Sequence, residues 1–230
     1  MSTRRVDWPQ AWRIIASRYP PIDLFERLTP DPAVWEALIA LEQLTNPRVR
    51  DEAGDISLVP PAERVAGPGA SYVMAAFTHL NPRGSRFSDG SYGVYYAAHE
   101  LATAIAETAY HFGLFASDSH DPPRMEDMRV LVGRIAEDFE DVDALPEPRR
   151  SAILDPDDYT ASQAYGRQLH EGEAMGVVYP SVRHANGECI GAFKPRAVGP
   201  PHQERHLKYR WNGQLVDRYF DYQREAWIDL

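Results

Sequence analysis

The sequence predicts a protein of the α+β class, because many short strand-like segments are separated by turn signals and mixed with few helices. Segments rich in aromatic and β-branched residues occur at 91–98, 128–135, 174–182, 188–195, 206–211 and 215–222. Strands and helices do not alternate regularly, which argues against a doubly wound sheet. A chain of 230 residues with 43% hydrophobic residues can fill a sizeable core, and we expect one domain over 1–230.

The first third of the chain, 1–82, is predicted to be its more helical part. "WRIIAS" at 12–17 predicts a short strand. Asp31 is a typical N-cap, and an apolar stripe then predicts a helix that ends at Asn46-Pro47. A second helix is predicted from about 70 to 80.

The central part of the chain, 84–195, carries the residues of chemical interest. An arginine in a glycine-flanked loop precedes the strand at 91–98, and "HELATAIAETAYHF" then repeats apolar residues at helical spacing. "DPDDYTASQAYGRQLHEG" at 155–172 predicts a further helix. The last part, 196–230, is predicted to contribute strands.

Charge and cysteine content exclude several classes of function. The net charge of −10 opposes binding to nucleic acid or to an anionic membrane surface. No apolar run is long enough to span a bilayer, and the single cysteine and the lack of a signal peptide predict a cytoplasmic protein. His202 and His206 in "HQERH" could share a metal, but the surrounding proline and charges favour a solvated loop, so we predict no metal site.

Two charged residues in the central part each allow two interpretations. On a helical wheel, Glu107 lies away from the apolar stripe of Leu101, Ile105 and Phe112, which is typical of a solvated residue. Alternatively, that alanine-rich side of the helix faces a cleft. Arg86 lies in a flexible polar loop, where an arginine is either solvated or free to bind a phosphate or carboxylate.

Two uncharged residues are similarly ambiguous. Tyr95 and Tyr96 alternate across a strand, so one faces the core and the other can stack on a planar ring or pack elsewhere. Ser181 follows an apolar run that ends in Tyr179-Pro180. Such a serine is either a turn former or a group that orients another residue of a site, and no GxSxG motif marks it as a nucleophile.

Taken together, "GSRFSDG", "GVYYAA", "TAIAETAYH" and "VVYPSVR" resemble the RES-domain family of toxins from bacterial toxin-antitoxin pairs. The arginine, glutamate and serine that name the family correspond to Arg86, Glu107 and Ser181. The N-terminal "RIIASRYPPIDLFERL" is similar to the longer branch of that family, so the resemblance extends over the chain.

The resemblance implies a fold like that of ADP-ribosyltransferase toxins, with a split β-sheet and flanking helices around an NAD cleft. It also implies that NAD is consumed as a substrate by breaking its nicotinamide-ribose bond. The ADP-ribosyl group then passes to phosphate, to water or to a host protein. An Xre-type helix-turn-helix antitoxin is the implied partner, and it would cover the active site.

The resemblance also assigns roles. Glu107 stabilises the oxocarbenium-like ribosyl cation, Arg86 binds the pyrophosphate or a ribose oxygen, and Tyr96 stacks on nicotinamide or closes the pocket. Ser181 orients Glu107 or the ribose. A second arginine near the start of the fold matches Arg18, with Arg13 as the competing assignment.

Two other functions are compatible with these residues. One is a protein-binding module of the same fold that has lost catalysis. The other is an ordinary glycoside hydrolase, which requires two cooperating carboxylates, whereas the helix supplies one well-placed candidate.

Overall fold

A computed structural model of the chain describes residues 2–19, 31–43 and 54–230. Within these ranges the protein has an eight-stranded sheet and five α-helices, which confirms the α+β prediction. The predicted end of the first helix, at Asn46-Pro47, lies outside the described residues. No helix in the described ranges is both long and apolar enough to cross a membrane.

The strands differ in length more than the sequence suggests. They are β1 (Thr3–Ala16), β2 (Tyr95–Ala98), β3 (Arg124–Asp141), β4 (Gly176–Pro180), β5 (Glu188–Ala192), β6 (His202–Trp211), β7 (Val216–Asp221) and β8 (Ala226–Asp229). The helices are α1 (Trp35–Gln43), α2 (Ala70–Thr78), α3 (Leu101–Asp118), α4 (Arg149–Ile153) and α5 (Thr160–Glu171). Four short 3-10 turns lie at Pro32–Val34, Ile56–Leu58, Pro61–Glu63 and Pro195–Ala197.

The sheet contains a closed ring of strands. Its order is β1-β2-β5-β4-β3-β6-β7-β8, and β1 also pairs with β3, so five strands return to their starting point. The 18-residue β3 makes this possible, because it pairs with β1 along most of its length while its other edge pairs first with β6 and then with β4. β6, β7 and β8 extend the sheet beyond the ring.

β1 is much longer than the predicted strand at 12–17. The register with β3 shifts between Trp8 and Ala11, and Pro9 lies in this irregularity, where the missing N–H breaks no ladder hydrogen bond. One core cluster therefore receives even-numbered residues of β1 before the shift, Val6 and Trp8, and an odd-numbered residue after it, Ala11. The prediction that the first third is the more helical part of the chain is not confirmed, because the longest element described there is this strand.

The core lies on both faces of the sheet. One cluster packs α1 and α2 against residues such as Trp8, Tyr95 and Phe139. The other packs α3 and α5 against residues such as Ile14 and Val130. Two successive residues of β2, Tyr95 and Tyr96, therefore belong to opposite faces, as the alternation of a strand requires.

An opening in the sheet lies between β1 and β2. The two strands pair only at Trp12 and Ala98, and their ladder ends there, although both strands continue. The Arg13 side chain crosses this opening, where its Nη1 donates a hydrogen bond of 2.9 Å to the Tyr96 carbonyl. The opening matters because cavities lie at this place.

One prediction about the last part of the chain is wrong, and one strand there was missed. "HQERH" is not a loop: it forms the first half of β6, where His202 pairs with Val132 and His206 with Arg129. These five residues are exposed or half-buried, so the strand can carry their charged side chains. β8 was not predicted, because its four residues are mostly exposed and carry no alternating pattern.

Candidate active site

A cavity of about 530 Å³ lies beside the opening, between α3, β2 and the loop that precedes β2. Arg86, Tyr96 and Glu107 all line it. The α3 residues in its wall recur every three or four positions, so one face of the helix is turned toward the cavity: Ala104, Glu107, Thr108, His111, Leu114, Phe115 and Asp118. This is the cleft-facing alternative for Glu107.

The Glu107 carboxylate is held by Ser181, and its side chain is only 17% exposed. Ser181 Oγ donates a hydrogen bond of 2.6 Å to Glu107 Oε1. Ser181 Oγ also accepts hydrogen bonds from the backbone N–H groups of Arg183 and His184, at 3.1 and 3.0 Å. Ser181 thus forms a turn after β4 and contacts Glu107 at the same time, so both geometries expected for it occur.

Arg86 is held rigidly in the cavity wall, although it lies in a loop. It is buried, and its Nη1 donates to the carbonyl groups of Ile153 and Asp155, at 3.2 and 2.7 Å. Its guanidinium lies 4.5 Å from the centre of the Tyr159 ring. Among the described residues no carboxylate lies within ion-pair distance of it. Its positive charge is therefore available to an anion.

Tyr96 connects β2 to the arginine loop. Its hydroxyl accepts a hydrogen bond of 3.0 Å from Phe87 N–H and shares one of 2.8 Å with Ser85 Oγ. Burial raises the pKa of Tyr96 to about 12, so the phenol is neutral at physiological pH. The hydroxyl fixes the loop on both sides of Arg86, and the side chain remains part of the cavity wall.

The structure separates the two candidates for the second arginine. Arg13 lines the cavity, lies 4.4 Å over the Tyr95 ring and bonds the Tyr96 carbonyl. Arg18 is absent from the lining. Its side chain is 41% exposed, forms an ion pair of 3.5 Å with Glu126 and lies 5.2 Å over the ring of Phe115, which does line the cavity. Of the two, Arg13 has the geometry of a ligand-binding residue.

Comparison with known proteins identifies the family. The family model of the RES domain matches residues 61–212, well over half of the chain. The chain belongs to the RES domain family. A relative, described as the uncharacterized protein y4oC of Sinorhizobium fredii (strain NBRC 101917 / NGR234), is 30% identical over 209 residues, which cover 89% of this chain and 84% of the relative.

A weaker likeness is found to a solved structure, the crystal structure of the M. tuberculosis MbcT-MbcA toxin-antitoxin complex. The TM-score is 0.45 at 12% sequence identity, with 92% of this chain and 87% of that chain covered. A likeness at this level carries no argument about this protein. The matched RES domain region includes Arg86, Tyr96, Glu107 and Ser181, whereas Arg13 and Arg18 precede it.

His111 was missed by the sequence reasoning, although it lies one helical turn after Glu107. Its Nε2 is 3.8 Å from Glu107 Oε2. Desolvation lowers the pKa of His111 to about 4, and the positive charges of Arg183 and Arg86 act in the same direction. The imidazole is therefore neutral at physiological pH and does not neutralise the carboxylate of this RES domain.

Tyr159 and Tyr179 were also missed. Tyr159 stacks on Arg86 from 73 positions further along the chain, and no local pattern indicates such a contact. Tyr179 lies on β4, two residues before Ser181, which follows the strand directly. Strand alternation could therefore have placed both side chains on the same face of the sheet. Burial raises the pKa of Tyr179 and of its neighbour Cys189 well above their ordinary values, so this wall of the cavity is uncharged.

The net charge of the cavity lining is positive, whereas the net charge of the whole chain is negative. The charged lining residues are Arg13, Arg83, Arg86, Glu107 and Asp118. Arg83 and Asp118 pair with each other at 3.0 Å. This leaves two guanidinium groups beside one carboxylate, so the cavity can attract an anion despite a net charge of −10. The described ranges hold no group of three or more His, Cys, Asp or Glu residues suited to a metal ion.

Proposed function

We propose that this protein is the toxin of a bacterial toxin-antitoxin pair and that it consumes NAD by cleaving the bond between nicotinamide and ribose. The observation that carries the proposal is the Ser181-Glu107 hydrogen bond in a cavity also lined by Arg13 and Arg86, which pair with no carboxylate in the described ranges. Membership of the RES domain family supports the same reaction class. A cytoplasmic location, where NAD is available, belongs to this proposal.

The chemistry needs a carboxylate at the reacting carbon. When the C–N bond breaks, its electron pair leaves with nicotinamide, which departs as a neutral molecule, and the ribosyl carbon becomes an oxocarbenium-like cation. Glu107 stabilises this positive charge and accepts a hydrogen bond from a ribose hydroxyl. The neutral state of His111 preserves the negative charge of Glu107 for this purpose. Ser181 acts through Glu107 as a positioning residue.

The two arginines bind the pyrophosphate. Arg86 offers a guanidinium fixed by two carbonyl groups and an aromatic ring, so little conformational entropy is lost when an anion binds. Arg13 supplies a second guanidinium group, at the opening between β1 and β2. This opening also supports the interpretation that the core corresponds to the split sheet of ADP-ribosyltransferases. Tyr96 closes the pocket, since its hydroxyl is already engaged by the arginine loop.

An oxygen acceptor then attacks the ribosyl carbon and loses its proton. The acceptor is phosphate, water or a host protein, and the fate of label from the adenylate part of NAD distinguishes them. Label that stays in small molecules indicates degradation of NAD, whereas label attached to protein indicates ADP-ribosyl transfer.

A partner that covers the cavity would inhibit this reaction. Leu114 and Phe115 line the cavity and are more than 40% exposed, so an apolar surface is present at its mouth. Contiguous exposed apolar residues are typical of protein contacts. We therefore propose that the Xre-type antitoxin docks here.

The proposal is tested by nicotinamide release from NAD by the purified protein freed of its inhibitor. Glu107→Gln keeps the size of the side chain and removes its charge, so we expect release to fall by about 10²- to 10³-fold. Glu100→Gln, an exposed change just before α3, is the matched control and should act like the wild type. A wild type that releases no nicotinamide would instead favour the catalytically inactive protein-binding module.

A further inference from the structure

A second cavity, of about 500 Å³, lies on the other side of the opening between β1 and β2. The two cavities share five lining residues: Arg13, Asn81, Gly84, Ser85 and Tyr96. Of the β1 residues, Trp12 and Ile14 line the first cavity, Ile15 and Ala16 line the second, and Arg13 lines both. The cavities are therefore neighbours that meet at Arg13 and Tyr96.

The second cavity has the surface of a site for a flat, uncharged ring. Tyr19, Tyr72 and Tyr92 contribute aromatic rings to its lining, and Ala75 and Ala76 of α2 contribute small side chains. Arg13 is the only charged residue in the described lining, and no carboxylate belongs to it. Aromatic side chains stack on nucleobases without sequence-specific hydrogen bonds.

Arg13 stands at the boundary as a guanidinium with unused donors. Nη1 bonds the Tyr96 carbonyl, while the buried Nε has no hydrogen-bond partner. No carboxylate in the described part of the chain lies within ion-pair distance of Arg13. A buried donor without a hydrogen bond on a positive group raises the free energy of the folded protein. An anion at the boundary would accept that hydrogen bond and remove the penalty.

We propose that the adenosine half of the dinucleotide occupies the second cavity, with the pyrophosphate on Arg13 and the nicotinamide half beside Glu107. This inference rests on the proposed function for the identity of the ligand.

The test measures binding of the two halves separately, by calorimetry, so it does not depend on turnover. ADP represents the adenosine half, and nicotinamide mononucleotide represents the other. Ala75→Phe fills the second cavity and should weaken ADP binding at least about tenfold while nicotinamide mononucleotide binding stays within about twofold. Tyr72→Ala removes a stacking face and should weaken ADP binding about tenfold.

Ala62→Phe is the control, because Ala62 is exposed and lines neither cavity. Thermal unfolding of each variant identifies loss of fold, and Tyr72→Ala tests the site if Ala75→Phe does not fold. The proposal is overturned if the wild type does not bind ADP, if ADP binding is unchanged in both variants, or if nicotinamide mononucleotide binding is weakened equally. ADP binding by a protein that releases no nicotinamide would reject the proposed reaction and leave this site standing.

Discussion

Ser181 has a single hydroxyl proton, and its neighbours decide where that proton points. Two backbone N–H groups donate to Oγ, so the proton is directed to Glu107 Oε1. The hydrogen bond fixes one carboxylate oxygen and leaves the other, Oε2, for the substrate.

Replacement of Ser181 should therefore reduce catalysis more than binding. A hydrogen bond to a charged group contributes about 1.5–3 kcal/mol, so Ser181→Ala should lower kcat about ten- to hundredfold with KM for NAD within about twofold. Ser181→Thr keeps the hydroxyl and should retain more of kcat. Steady-state nicotinamide release gives both constants. Equal losses in the two variants would show that the hydroxyl is not what matters.

His111 should make the fold sensitive to mild acid. Its pKa is about 4 in the folded protein and about 6.5 when unfolded, so the unfolded chain binds the proton more readily between these values. Stability from neutral His111 is present above pH 6.5 and lost as the pH falls toward 4. Arg183 and Arg86 oppose protonation of His111, while the charge of Glu107 favours it.

His111→Gln removes this titration, so the difference in Tm between wild type and variant should shift in favour of the variant as the pH falls from 7 to 4. Thermal unfolding across this range measures it. His202→Gln, an exposed change on β6, is the control. Parallel pH curves for wild type and His111→Gln would contradict the expected pKa.

For single residues, the sequence predicts which side chains belong to the candidate site better than it predicts what surrounds each of them. Periodicity places Glu107 away from the apolar stripe, which is typical of a solvated residue, but in the structure Glu107 lines a cavity. Arg13 and Arg18 both precede the arginine loop by about 70 residues, so only the course of β1 distinguishes them. Similarly, the contact of Arg86 with Tyr159 depends on the position of α5, which begins directly after Tyr159.

The arginine loop depends on glycine at two positions. Gly84 has a φ of +72°, and a Cβ there would lie 2.6 Å from the Ser88 carbonyl oxygen. Gly166 of α5 faces the loop, where a Cβ would lie 2.2 Å from the Phe87 carbonyl oxygen. Gly84 thus packs against Ser88 within the loop, and Phe87 of the loop packs against Gly166 of α5. Both contacts fix the position of Arg86.

Gly84→Ala should displace Arg86 and lower NAD turnover by about a hundredfold, because a shift of about 1 Å can have this effect. Gly67→Ala is the matched control: Gly67 has a φ of +89°, but a Cβ there meets nothing within 4 Å. Both variants suffer the strain of a left-handed alanine, about 1 kcal/mol, so both should lose a little Tm. Similar turnover in the two variants would contradict the loop's role.

Element types were predicted more successfully than element lengths. Strands at 128–135 and 206–211 were identified by their aromatic and β-branched residues, yet β3 covers Arg124–Asp141 and β6 begins at His202. The extensions carry charged residues that pair across the sheet, as Arg205 does with Asp221, and composition alone does not distinguish them from loops.

At the scale of the whole molecule, the candidate site is a product of the sheet's closure. β3 holds β1 in place along its length, β5 holds β2, and the single pairing of β1 with β2 leaves an opening beyond Trp12 and Ala98. No local pattern in the sequence indicates this opening, because it results from pairings between distant strands. It explains why two cavities share Arg13 and Tyr96.

In the proposed reaction, Glu107 stabilises the transition state and contributes little to the binding of NAD. The most direct measurement is therefore the Kd for NAD and the rate of nicotinamide release in the same preparations of wild type and Glu107→Gln. We expect the Kd to change by no more than about threefold and the rate to fall by about 10²- to 10³-fold. An unchanged rate in Glu107→Gln, or a loss explained fully by weaker binding, would contradict the account.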